Sequence, residues 1–189
     1  MMTKIVDEVF RRVYRALRSL PKAERDGVYA VSLFVYDYED EPSTPTVEVS
    51  VNTEAYVALR TPETSDPAEA RWNFAFWPHR PIDVIGGPTD PVGKQIIDQS
   101  FSDASLAYDP DDYSDEAIEI GRRMTEAFVA ACVAAVQRLH REGIVEAVFG
   151  AAVPVLVHEL EYYDQIAEQN RVANPGELVE PFIRWIHAM

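Results

Sequence analysis

The sequence predicts an α+β domain in which a largely antiparallel sheet is packed by a long central helix, with further helices at both termini. Three observations predict this class. Two β-branched runs lie close together in the first third of the 189-residue chain, a long helical stripe follows in the second half, and amphipathic segments occupy both ends. The length fits a single domain spanning residues 1–189.

The first segment, residues 3–20, is predicted to be an amphipathic helix. Pro21 ends it, and its arginines fall mostly on the polar face. Its apolar residues recur at helical spacing: Val6, Val9, Phe10, Val13, Leu17 and Leu20. We expect residues 1–25 to pack onto the chain's own acidic body, with a peripheral position or pairing between subunits as open alternatives.

Strands are predicted next along the chain. Val28–Tyr36 is β-branched and aromatic, whereas residues 46–54 alternate valines with polar residues, which indicates one buried face and one wet face. The acidic, proline-containing loop 37–45 joins these two strands into a hairpin with a long connection. A third strand is predicted at 71–79, RWNFAFWPH, because aromatic residues recur there at alternate positions.

The second half of the chain predicts helices around one more strand. A short helix is expected at 92–101, and the apolar run 153–159 predicts a central strand. The longest helix is predicted from the N-cap Ser114 to Gly143. Its apolar stripe contains Ile118, Gly121, Met124, Phe128, Cys132, Ala135, Val136 and Leu139. A C-terminal helix is expected to begin with Asn174 as cap and Pro175 at its first position.

The net charge of −15 is unevenly distributed. Residues 1–25 carry seven basic and three acidic residues, whereas the stretch between Lys94 and Arg122 carries eight acids and no base. Phosphate contacts dominate nucleic-acid affinity, so the acidic body argues against DNA or RNA binding. It is compatible with a basic protein as partner, because opposite charges steer association. Solubility alone is the alternative explanation of the charge.

The sequence predicts a cytoplasmic protein without a membrane partner. No apolar run is long enough to span a bilayer, and the N-terminus lacks the apolar core of a secretory signal. The single cysteine, Cys132, lies in an Ala/Val-rich stretch and is expected to be a buried thiol rather than a nucleophile. No glycine-rich phosphate loop follows a predicted strand, so no cofactor is expected.

The stretch HELEY, residues 158–162, resembles the zinc-protease motif but lacks its second histidine. If the preceding apolar run is a strand, His158 and Glu159 point to opposite faces and do not share a metal. The less favoured alternative is a small hydrolase that uses carboxylates and His158 or His79. In its metal-assisted form the ligands would be His158, Glu161 and Asp164.

The favoured hypothesis is a non-enzymatic protein-interaction module, because no catalytic signature accompanies the charge asymmetry. Two acidic loops and one tryptophan, if it lies on a wet face, are the candidates for partner binding. They are Asp37, Glu39, Asp40, Glu41, Trp77, Asp109, Asp111 and Asp112. A homo-oligomer is an open alternative.

Several short motifs occur in a recognisable order. VYAVSLFVYDYED is followed by NTE at 52–54, by RWNFAFWP, and, after the long helix, by GIVEAVFG, an apolar strand and NP at 174–175. From residue 28 onward this order resembles domain-of-unknown-function family 4303, a bacterial family without an assigned activity. The resemblance implies a cytosolic bacterial domain, and a looser analogy connects it with small acidic immunity proteins that neutralise toxins.

Overall fold

The computed structural model describes residues 2–189, and within them four strands and nine α-helices. The strands are β1 (Val28–Asp37), β2 (Pro45–Thr53), β3 (Asp83–Gly86) and β4 (Val155–His158). The helices are α1 (Thr3–Ser19), α2 (Lys22–Arg25), α3 (Glu54–Arg60), α4 (Pro67–Trp72), α5 (Pro91–Asp103), α6 (Asp115–Arg141), α7 (Ile144–Phe149), α8 (Asp164–Ala173) and α9 (Glu180–Ala188). Short 3-10 turns lie at Tyr38–Asp40, Thr61–Glu63 and Phe74–Phe76.

The strands form one sheet in the order β3-β2-β1-β4. β2 runs antiparallel to both β1 and β3, whereas β4 runs parallel to β1 and pairs Phe34 with His158. The sheet is therefore mixed but mostly antiparallel. The predicted α+β class is confirmed, together with the long central helix α6 and the helices at both termini.

The main core lies between one face of the sheet and the helices α1, α5 and α6. Val31, Leu33 and Val35 of β1 point into this core. The N-terminal helix belongs to it, because four of its apolar side chains are fully buried: Ile5, Val9, Val13 and Leu17. Arg12 of α1 donates hydrogen bonds to Asp83 and Asp90, which ties the helix to β3 and to the start of α5. The helix 3–20 thus packs onto its own domain.

The central helix α6 begins and ends as the sequence predicts. The Ser114 hydroxyl caps its N-terminus by accepting from the Ala117 amide, and Gly143 follows its C-terminus in the left-handed conformation. The predicted stripe is buried except for Ile118, which is 64% exposed. Within residues 2–189, none of the helices combines the length and apolarity that a bilayer span requires.

The sequence predicts that the second face of the sheet is exposed to water, but this face is largely covered. Ser50 and Asn52 of β2 are buried because a second apolar layer covers them. That layer comes from the chain around α4 and from α8 and α9, and it contains Trp72, Phe74, Trp77, Ile166, Phe182 and Ile183. The prediction of one wet face is wrong, since two helical layers enclose the sheet.

The predicted third strand at 71–79 is wrong, because this stretch belongs to a helix and a 3-10 turn. Asp66 caps α4 by accepting from the Ala68 amide, and Asn73 caps the 3-10 turn by accepting from the Ala75 amide. These caps favour helical turns, and the turns bring Trp72, Phe74 and Trp77 into one cluster. The actual third strand, β3, has only four residues and its sequence shows little alternation.

Strand β4 is an edge strand rather than the predicted central strand, yet all four of its residues are buried. Two asparagine side chains, one in α8 and one at the C-cap of α8, form hydrogen bonds with the outer edge of β4. Asn170 accepts from the Val157 amide at 2.8 Å and donates to the Val157 carbonyl at 2.7 Å. Asn174 makes the same pair of bonds with Val155, at 2.8 and 3.0 Å. The edge is thus satisfied as if a fifth strand were present.

This role of Asn174 corrects the prediction that it caps the last helix. It is the C-cap of α8, and α9 begins six residues later, at Glu180. Pro175 is correspondingly an exposed residue of the connection. The buried side of the C-terminal helix includes Phe182, Ile183 and Ile186.

The edge completion predicts a large effect of Asn170→Ala. The substitution leaves the Val157 amide buried without a partner and removes bonds to two carbonyls, so we expect a loss of about 2–3 kcal/mol in unfolding free energy by urea denaturation. Gln169→Ala is the matched control, because it removes one bond to the same Val157 carbonyl, and we expect a loss of about 1 kcal/mol. Equal, small losses for both variants would contradict this role.

Candidate functional site

Because β1 and β4 are parallel, their carboxyl ends lie side by side at the same end of the sheet. In open α/β sheets, ligand-binding crevices form outside the carboxyl ends of the strands. Here β1 ends at Asp37, and Glu159 follows β4 directly. A cavity of about 280 Å³ opens at this place, which we call the acidic cleft. It is lined by Phe34, Val35, Tyr36, Asp37, Thr125, Glu159, Leu160, Glu161 and Tyr163.

The carboxylates of the acidic cleft are not neutralised within the chain. None of the ion pairs formed by residues 2–189 involves Asp37, Glu159 or Glu161; the neighbouring Arg122 is bound by Glu119 and Glu126. The Thr125 hydroxyl donates to Asp37 Oδ2 at 3.0 Å, whereas the buried Oδ1 has no hydrogen-bond partner in the described chain. An unpaired buried carboxylate oxygen is costly, so the cleft has an unmet demand for a donor.

Burial and neighbouring charges raise the pKa of two carboxyls in the cleft. Burial raises the pKa of Asp37; the bond from Thr125 opposes this shift and the charge of Asp40 adds to it. Burial also raises the pKa of Glu159, and the negative charges of Asp37 and Glu161 raise it further. A cation in the cleft would reverse both effects, since it stabilises the ionised forms.

The two acidic loops predicted as partner-binding surfaces lie next to each other. Glu39 and Asp40 are exposed in a turn with positive φ, directly beyond Asp37. The pKa of Tyr108 is raised by partial burial, then by the charge of Glu41, with a contribution from Asp109 of the other loop. Pro42 of the first loop and Tyr108 of the second also lie beside the same residue, Gly121, so the two loops are neighbours, and Asp37 at the start of the first loop lines the acidic cleft.

The remaining predicted acids of the second loop, Asp109, Asp111 and Asp112, are all exposed. Asp109 and Asp112 each accept a bond from a backbone amide two residues on, so they also shape the local turns. Sequence reasoning found Asp37 but not the role of Glu159, Thr125 or Tyr163. The only sequence signal for Glu159 is its place directly after an apolar strand.

Trp77 is not the exposed anchor that the interaction hypothesis requires. It is 2% exposed, its Nε1 donates to the Arg71 carbonyl, and its ring packs against Tyr29 and Phe74. The prediction is wrong because the helical turns direct this side chain into the second apolar layer. An exposed aromatic residue is instead present at the acidic cleft itself, where Tyr163 is 42% exposed.

His158 is a core residue. Its Nδ1–H donates to the Glu159 carbonyl at 3.0 Å, so Nε2 is the acceptor of the Ser32 hydroxyl at 2.7 Å. Burial lowers the pKa of His158 to about 4, which keeps the ring neutral at pH 7. Its ring lies among Phe34, Phe74 and Tyr162, and it does not line the acidic cleft.

The alternative hydrolase residues do not come together. Within residues 2–189 no group of three His, Cys, Asp or Glu side chains is placed to hold a metal ion. Glu161 and Asp164 are exposed, and Asp164 lies 3.7 Å from His187 rather than near the buried His158. His79 is exposed, and its ring contacts are with the Ala75 carbonyl and the edge of Phe74. The structure thus corrects the proposed ligand set of His158, Glu161 and Asp164.

No protein-family model, curated protein or solved structure matches this chain. The resemblance to family 4303 rests on its short motifs alone and stays a prediction. The site is therefore interpreted from its own geometry.

The unpaired Asp37 predicts a stabilising substitution. Because the pKa of Asp37 is higher in the folded than in the unfolded protein, ionisation of this carboxyl opposes folding. The full penalty is present at pH values above the folded-state pKa. It disappears as the pH falls below the unfolded-state pKa of about 3.9. We expect Asp37→Asn to raise the unfolding free energy at pH 7 by about 0.5–1 kcal/mol, since solvent screens part of the charge. The gain should shrink towards pH 4.

The control is Asp109→Asn, which removes the same charge from an exposed loop and should change stability by less than about 0.5 kcal/mol. Denaturant melts of both variants at pH 7 and pH 4 make the comparison. A loss of stability for Asp37→Asn at pH 7 would show that the carboxylate is satisfied in the native state.

Proposed function

We propose that this protein is a non-enzymatic protein-interaction module that receives a basic side chain of a partner protein in its acidic cleft. One observation carries the proposal: Asp37 and Glu159 lie at the same end of the parallel strands, in a concave site, and neither forms an ion pair with a residue of 2–189. A ligand that brings a positive charge and hydrogen-bond donors would satisfy both carboxylates.

The walls of the acidic cleft favour arginine as the inserted residue. Phe34, Tyr36 and Tyr163 line it, and aromatic faces attract a guanidinium through cation–π contacts. A guanidinium also presents a planar fork of donors that matches a carboxylate, whereas a lysine provides a single compact charge. The carboxyl groups of Asp37 and Glu159, which both line the cleft, are the acceptors that such a fork would bond.

The overall charge supports a basic partner. A net charge of −15 accelerates encounter with a basic protein, and the acids at 39–40 and 109–112 are exposed to contribute to this attraction. We expect the partner to be captured in two steps. The exposed acidic loops attract it over long range, and Asp37 and Glu159 then bind it specifically. The family resemblance implies a bacterial cytoplasm, and an immunity- or adaptor-like role, which rests on the looser analogy, would use this chemistry there.

The test is quantitative affinity capture from a native lysate at low salt, followed by stepwise salt elution and mass spectrometry. The baits are the wild type and the double variant Asp37→Asn/Glu159→Gln. The matched control is Glu146→Gln/Glu177→Gln, which removes the same two charges from exposed acids without an ion pair in the described chain. We expect that the wild type and the control both retain the same basic protein.

The cleft variant should bind that protein at least about tenfold more weakly, because a charge-assisted pair contributes about 1.5–3 kcal/mol. Binding of the purified partner by calorimetry at two salt concentrations gives the ratio. Equal affinity of the cleft variant and the control would contradict the proposal, as would a folded wild-type bait that retains no basic protein.

A further inference from the structure

A second concave surface joins the acidic cleft. It lies between α6 and α8, encloses about 670 Å³, and shares Thr125, Glu159 and Tyr163 with the cleft. We call it the α6–α8 groove. Its apolar part is formed by Val129, Ala130, Val133 and Val172, and its rim carries Glu126 and Glu168. The two surfaces therefore form one continuous depression, with an apolar stretch and an acidic end.

Exposed apolar side chains are concentrated along this depression. Val172 is 59% exposed in the groove, while Leu160 is 75% and Tyr163 is 42% exposed at the cleft. Ile118, 64% exposed, precedes the groove residue Arg122 by four residues and so lies on the same side of α6. These four are half of the eight large hydrophobic side chains exposed in residues 2–189. Such a contiguous patch marks a surface that another molecule covers.

We propose that the α6–α8 groove binds an amphipathic α-helix of the same basic partner, with an arginine or lysine at the helix end that lies over the acidic cleft. This inference rests on the proposed function and deepens it, because it names the shape of the bound segment. The occupant has apolar residues on one face and positive charge at one end. Those features complement the apolar floor and the carboxylates of Asp37 and Glu159.

The geometry favours a helix over an extended strand. An added strand needs free backbone groups at a sheet edge, but Asn170 and Asn174 already bond the outer edge of β4. The groove instead presents helix side chains, and a helix satisfies its own backbone while it lies on an apolar floor. The lining of α6 extends from Arg122 to Val133, which spans about 17 Å or three helical turns.

The experiment is selection from two displayed peptide libraries against the folded protein. One library is a 16-residue helical template with randomised positions. The other library has the same length and the same randomised positions, but fixed prolines prevent its peptides from forming a helix. We expect enrichment from the helical library only, with apolar residues at i, i+4 and i+7 and an arginine or lysine near one end. No enrichment, or enrichment from the proline library, would overturn the inference.

Variants of the groove locate the binding site. Ala130→Arg places a long charged side chain on the apolar floor, and Ala130 is exposed, so the fold should tolerate it. We expect it to weaken a selected peptide at least tenfold, and Val172→Gln to weaken it severalfold. Ala58→Arg, at an exposed position of α3, is the matched control and should leave the affinity unchanged within twofold. Equal effects of Ala130→Arg and Ala58→Arg would overturn the inference.

A double-mutant cycle connects the groove to the cleft. Replacing the terminal basic residue of the selected peptide by glutamine should weaken binding to the wild type but not to Asp37→Asn/Glu159→Gln. Capture of the basic partner that survives Ala130→Arg but not the cleft variant would leave the proposed function intact and refute the helix. If the affinity of the selected helices were unchanged by the cleft substitutions, the connection between the groove and the proposed function would be refuted.

A second copy of this chain is the competing occupant, and sedimentation distinguishes it. The inference predicts the same monomeric mass for the wild type and Ala130→Arg. A wild-type dimer that Ala130→Arg dissociates would show that the groove is covered by another copy, and would overturn the inference.

Discussion

The pairing of two asparagine amides with the edge of β4 is the constraint on which the candidate site depends. Asn170 and Asn174 are four residues apart, about 6 Å along a helix, and they bond Val155 and Val157, which are about 6.6 Å apart along a strand. This match fixes α8 beside the sheet and keeps a short parallel strand at its edge. The position of Glu159 beside the end of β1, and of Tyr163 before α8, follows from it.

The protein treats its buried acids in two different ways. At the contact between α1 and β3, Arg12 binds both Asp83 and Asp90, so each of these carboxylates has a positive partner inside the fold. At the acidic cleft, the side chain of Asp37 accepts only from the Thr125 hydroxyl, and Glu159 forms no ion pair within residues 2–189, since the neighbouring Arg122 binds Glu119 and Glu126. Uncompensated charge in a concave site lowers stability without a structural benefit, and this is the pattern expected where a ligand completes the site.

The sequence predicts those elements whose periodicity is long: the hairpin of β1 and β2, the helix α1, and the central α6, whose N-cap is also recognisable. The stretch 71–79 is misassigned because dense aromatics imitate strand alternation, while the decisive caps, Asp66 and Asn73, are single residues. The end of β1, residues 34–37, supplies one half of the cleft. The other half depends on the pairing of β1 with β4, which lie more than a hundred residues apart, so local patterns do not contain it.

The most direct test of the shared cleft is an NMR titration of the Glu159 side-chain carboxyl carbon in the wild type and in Asp37→Asn. The structure predicts a wild-type pKa above the ordinary glutamate value, and a fall towards that value when the neighbouring charge is removed. Asp109→Asn should leave it unchanged. An ordinary Glu159 pKa, or one that ignores Asp37→Asn, would contradict the account in which the two carboxylates form one site.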